Sequence, residues 1–169
     1  MSGCPYKNNI QQFIKILREP REEYSGFAPC PFVGAEVDQD KLMIEVFDPS
    51  KNTLLDIVKK LEESKYESGL FAQISTEEIY SEDTYRYQSF INRLLKNGGY
   101  EHLKCICFNP NDKVGIDGFN IRKKAPYFLI NIASRDVLAK THKNILKTKY
   151  FDNMGQEYLD FLHVKKEKK

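Results

Sequence analysis

The chain has 169 residues, a formal net charge of +2 and, with 41% hydrophobic and 30% charged residues, the make-up of a globular protein. That length can bury a continuous core without disulfide or metal staples, and no apolar run approaches the roughly 18 residues that cross a bilayer. So mild a charge argues against the concentrated basic surface with which most nucleic-acid-binding domains grip phosphates. Met1 to Lys7 hold no apolar leader segment, so the expectation is a soluble, cytoplasmic chain whose four cysteines are thiols. No internal repeat, low-complexity block or Pro/Gly/Ser linker divides it. It reads as one domain over 1–169, with 1–6 and 164–169 as frayed tails.

Ile10, Phe13, Ile14 and Leu17 recur at helical spacing and Pro20 ends the pattern, which predicts a helix over about residues 7–18. Gly26 to Gly34 hold Pro29 and Pro31 around Cys30, which predicts a stiff, extended loop with no helix. Leu42 to Phe47 reads as a strand with Leu42, Ile44 and Val46 on one face, turned by Asp48-Pro49-Ser50. Leu54, Leu55, Val58 and Leu61 mark a second helix, and Gly69 to Ile74 a second strand. A third helix runs from Ser81, as N-cap, through the apolar positions Tyr87, Phe90, Ile91, Leu94 and Leu95 to a stop at Gly98-Gly99. Leu103 to Phe108 predicts a strand, Asn109 to Ala125 a long loop, and Pro126 to Ala133 a strand apolar on both sides and so central. Val137, Leu138, Thr141, Ile145 and Leu146 predict another helix, and Tyr158 to Leu162 a short last one. About five helices around a sheet of four or more mainly antiparallel strands make an α+β sandwich of two or three layers.

Cys30 is the first candidate for chemistry, because flanking prolines hold its thiol on a rigid loop and spare the entropy of positioning a nucleophile. The competing reading is a packed small residue, since free cysteine is among the most buried types and no cation or base adjoins it in sequence. Cys105 and Cys107 share one strand face, yet no Cys-x-x-Cys knuckle accompanies them, so neither a metal nor any other cofactor is expected. The three histidines, His102, His142 and His163, show no acid/base or triad spacing. Gly98-Gly99 ends a helix and Gly115 to Gly118 lacks a following Lys-Ser/Thr, so no phosphate loop is present. The loop 109–125 is the second candidate: it is longer than its connection needs, and Arg122-Lys123-Lys124 within it can bind a carboxylate or phosphate. Its competing reading is a solvated charge run, as is that of Lys165 to Lys169.

Cys30-Pro31-Phe32, Phe108-Asn109-Pro110 and Ala125-Pro126-Tyr127 before an apolar strand together resemble the uncharacterised bacterial family catalogued as domain of unknown function 1415, over about residues 27–150. The resemblance aligns Cys30 with the family's cysteine, Lys124 with its arginine, and Pro126 and Tyr127 with its Pro-Tyr. Asn109 and Asn131 stand where the family pattern has histidines, so an imidazole role at those positions is absent here. The family brings no established activity.

The resulting expectation is a small-molecule enzyme or anionic-ligand binder with a pocket around Cys30 and the 109–126 loop. Cys30 would be the reactive group, and Lys124, Arg122, Asn109, Asn131 and Tyr127 the ligand-binding ones. The alternative is a non-catalytic protein-interaction module that uses the basic loop and exposed aromatics such as Tyr80, Tyr85, Tyr87 and Phe119. A small anionic ligand is the expected partner; nucleic acid and membrane are not, and the oligomeric state is open.

Overall fold

The computed structural model describes residues 4–74, 81–112 and 121–161. Among the described residues six α-helices and four strands follow one another: α1 (Pro5–Arg18), α2 (Pro31–Asp38), β1 (Leu42–Phe47), α3 (Leu54–Glu62), β2 (Ser68–Gln73), α4 (Ser81–Asn97), β3 (Leu103–Phe108), β4 (Leu129–Ser134), α5 (Arg135–Leu146) and α6 (Gln156–Phe161). Single 3-10 turns lie at Glu22–Tyr24 and Arg122–Lys124.

The strands form one sheet in the order β1-β2-β4-β3. β1 pairs parallel with β2, joined by α3, while β2 with β4 and β3 with β4 pair antiparallel. The class is α+β, as the strand and helix pattern predicts, with a mixed sheet in which antiparallel pairing prevails. β4 is central, and its alternation feeds both faces. Leu129 and Ala133 enter a core with α1, α2 and the C-terminal Tyr150, Phe151 and Leu159, while Phe128, Ile130 and Ile132 enter a second core with α3 and α4. The sandwich therefore has three layers, and among the described residues no helix is long and apolar enough to cross a membrane.

Local chemistry sets most element ends. Thr53 caps α3: its hydroxyl accepts from Asp56 N–H at 3.2 Å, and its own N–H donates to the Asp56 carboxylate at 2.8 Å. The backbone bond from Thr53 holds the Asp56 carboxyl below the usual carboxylate range. Gly99 ends α4 at φ +84°, a left-handed residue that lets Tyr100 N–H turn back to Leu95 C=O at 2.8 Å.

Several expectations need correction. The segment from Pro31 is helical: proline at the first helical position loses no intrahelical bond and brings a fitting φ, so Pro31 starts α2 in place of an extended loop. α1 begins at Pro5 for the same reason, so Pro5 and Tyr6 belong to the helix rather than to a frayed tail. Phe90, whose spacing groups it with the buried face of α4, is 51% exposed. α5 buries no residue fully, and Val137 and Leu146 are exposed.

The two sheet edges are treated differently. On β3, Cys105 N–H donates to Asn92 Oδ1 at 2.8 Å, Cys107 N–H donates to Gln88 Oε1 at 2.9 Å, and Asn92 Nδ2 donates back to Cys105 C=O at 3.2 Å. Side chains of α4 thus close that edge against further strands.

Candidate functional site

Cys30 is the N-cap of α2, with its N–H bonded to Leu17 C=O of α1 at 3.0 Å. The loop before it is pinned from the C-terminal side: the Tyr150 hydroxyl donates to Pro29 C=O, and Tyr150 packs on Tyr24 and Phe27. The thiol packs against the core beneath α1 and α2. Burial pushes its pKa up, and the N–H groups of Val33 and Phe32 at the helix start only partly oppose this. A rigid display is present, but the environment favours the thiol over the thiolate.

At alkylation with iodoacetamide the exposed Cys4 is therefore expected to react first, with Cys30 slower at pH 7 by about an order of magnitude or more. The Cys30 rate should climb only as pH rises through its raised pKa, above the ordinary thiol range. A mass-spectrometric time course reads this directly, and a Cys30 faster than Cys4 at neutral pH would contradict it. Cys105 and Cys107 lie buried on one strand face, sulfurs 3.7 Å apart, and burial raises Cys105 further still. Among the described residues no cluster of three His, Cys, Asp or Glu side chains gathers.

A polar cluster sits at the carboxyl end of β3, where the 109–126 loop leaves the sheet. Asn109 is buried, donates to Thr84 Oγ1 of α4 at 2.8 Å, and accepts from Asn111 N–H at 2.9 Å. Asp112, 1% exposed, faces Arg122 with an N···O distance of 3.6 Å. Arg122 in turn donates to the Tyr85 hydroxyl at 3.2 Å and lies 5.9 Å from its ring centre. These contacts tie the returning loop to α4. Residues 113–120, and with them Gly115 to Gly118 and Phe119, fall outside the described residues, as do Tyr80 and His163.

The candidate residues are thus split. Asn109 and Arg122 share the cluster on α4. Asn131 lies mid-sheet on the opposite face, donating to Gly69 C=O at 3.0 Å. Tyr127 packs on Tyr6, ring centres 5.0 Å apart, and accepts from Asn9. Lys124 is exposed, and among the described residues no hydrogen bond or ion pair joins Cys30 to Lys124 or Arg122. Ile121 and Ala125 do pack into the same core as Cys30, so the loop approaches it through hydrocarbon. Tyr87 is half-buried, bonded to Gln73 at 2.8 Å, and Tyr85 is exposed. His102 pairs with Glu62 at 3.1 Å on the surface.

Two features escaped the sequence reading. Asp112 carries no motif, and its role depends on Arg122 folding back onto it. The outer face of α4 presents Arg86, Phe90 and Arg93, all exposed, at i, i+4 and i+7, beside exposed Tyr85. The helical spacing was legible, but Phe90 read as core. Compared with family models, curated proteins and solved structures, the chain matches none.

Proposed function

We propose that this domain is a non-catalytic interaction module that binds an acidic protein segment across the outer face of α4 and the adjoining Arg122–Lys124 turn. The observation that carries the reading is Phe90, 51% exposed between Arg86 and Arg93 on one helix face. A large apolar ring half in water, four residues after one exposed arginine and three before another, adds little to the core. Aromatic and arginine side chains together are the usual anchors of protein interfaces. Tyr85, with Arg122 over its ring, extends the surface toward exposed Lys123 and Lys124. The expected small-anion binder and the interaction module meet here, since both ask the basic turn to receive carboxylates. A thiol enzyme at Cys30 has less support, because its pKa is raised rather than lowered. The resemblance to domain of unknown function 1415 adds no reaction.

Peptides with a leucine or phenylalanine flanked by Asp and Glu, titrated into labelled protein, are expected to shift the amide resonances of residues 85–97 and 121–124. Phe90→Ala should weaken that binding about 30-fold, as for an interface anchor, while changing stability by less than about 0.5 kcal/mol. Arg86→Glu and Arg93→Glu should each weaken it as well. Shifts that map elsewhere, or binding indifferent to Phe90, would end this reading.

A further inference from the structure

Among the described residues the sheet has one edge met by side chains and one left open. On β3 the outward N–H groups of Cys105 and Cys107 and the C=O of Cys105 are occupied by Gln88 and Asn92. On β1, Lys41 C=O and Phe47 C=O accept from β2, through Ser68 N–H at 3.2 Å and Ile74 N–H at 2.8 Å. Groups alternate along an extended strand, so the odd residues of β1 face β2 and the N–H and C=O of Leu42, Ile44 and Val46 face outward. Among the described residues no hydrogen bond reaches these outward groups. β1 carries no proline, and its side chains at Ile44 and Val46 are half-exposed. Such an edge is a template for another strand.

We propose that the strand it receives is β1 of a second copy, paired antiparallel about a two-fold axis at Met43. The charge pattern selects both occupant and register. Outward groups must meet outward groups, so even residues pair with even ones. A two-fold at Glu45 sets like charges opposite each other, and one at Ile44 faces Asp40 with Asp48. A two-fold at Met43 places Leu42 opposite Ile44 of the other copy and Lys41 opposite Glu45, twice. Lys41 already pairs with Glu67 at 2.9 Å and Glu45 with Lys60 at 3.5 Å, so each new contact joins two surface pairs into one chain of alternating charge. An open depression lined by Met43, Asp56, Lys60 and Ser64 lies on that face beside β1. The product is a continuous eight-stranded sheet, made from two of the four-stranded ones.

Sedimentation velocity of the full chain over a concentration series tests this. The wild type should sediment as a dimer that dissociates on dilution. Ile44→Pro removes an outward N–H together with the Ile44 side chain that packs on the first core, and leaves the β1–β2 hydrogen bonds in place, so it should be less stable but monomeric, with an unchanged far-ultraviolet circular dichroism spectrum. Lys41→Glu, at an exposed ion pair that the fold tolerates losing, should raise the dissociation constant about tenfold or more. The double variant Lys41→Glu/Glu45→Lys, built together with Lys60→Glu and Glu67→Lys so that the surface pairs within each chain are kept, should regain dimerisation, which a merely destabilising change would not. A wild type monomeric at every attainable concentration overturns the second copy as occupant and leaves the edge to a foreign strand. A dimer undiminished by Ile44→Pro, or a double variant no tighter than Lys41→Glu, overturns the pairing as well.

Discussion

Phe71→Ala is expected to lower unfolding free energy by about 3–5 kcal/mol, a large share of the roughly 5–15 kcal/mol of a domain this size. Phe71 is fully buried in β2, between β1 and β4, and anchors the core that α3 and α4 cover. Its ring folds back over Gly69: a Cβ there would lie 2.4 and 2.5 Å from two ring atoms. Strands on both sides hold the β2 backbone, and the ring has nowhere to retreat. Gly69→Ala should therefore cost about 1–3 kcal/mol by overpacking. In the Phe71→Ala background that clash is gone, so the two losses should fall short of additivity by about 1 kcal/mol or more. Urea unfolding of the four chains measures the coupling, and strictly additive losses would show that the ring is not what keeps residue 69 a glycine.

Asp112→Ala is expected to cost about 3–5 kcal/mol, because it strips the carboxylate from an arginine whose side chain is only 13% exposed. Replacing both partners by apolar residues in one chain, Asp112→Leu/Arg122→Met, should cost less than Asp112→Ala alone, since the buried pair is then removed whole rather than by half. Loss of the carboxylate should also free the Arg122–Lys124 turn from Tyr85, lowering peptide affinity at the α4 face without touching Phe90. Denaturant melts of both variants decide the matter: an Asp112→Ala chain within about 0.5 kcal/mol of wild type would make the ion pair a surface ornament of the loop.

The proline at residue 31 shows how one residue supports two readings. Proline forbids a helix interior but suits a helix start, and only the packing of Phe32 and Val33 beneath α1 decides between them. Cys30 changes character with that decision, from a thiol on an extended loop to an N-cap sealed by Tyr150 from more than a hundred residues away. Phe90 is the reverse case. Its spacing from Ile91 and Leu94 is helical, but the arc of α4 that meets the sheet is centred on Thr84, Ile91 and Leu95, and Phe90 falls outside it.

What the chain's own letters determined are the elements and their class: periods of two and 3.6 and the glycine stop after α4, all of which depend on neighbours within a few residues. The central place of β4 was legible too, because a strand apolar on both sides must be covered on both. Only the tertiary structure decided that Asn109 and Asn131 serve opposite faces, that Asp112 meets Arg122, and that, among the described residues, the outward groups of β1 are left unbonded while α4 meets those of β3. Those outcomes rest on contacts between residues far apart in the chain, where strand order and helix placement, not local pattern, set which groups meet.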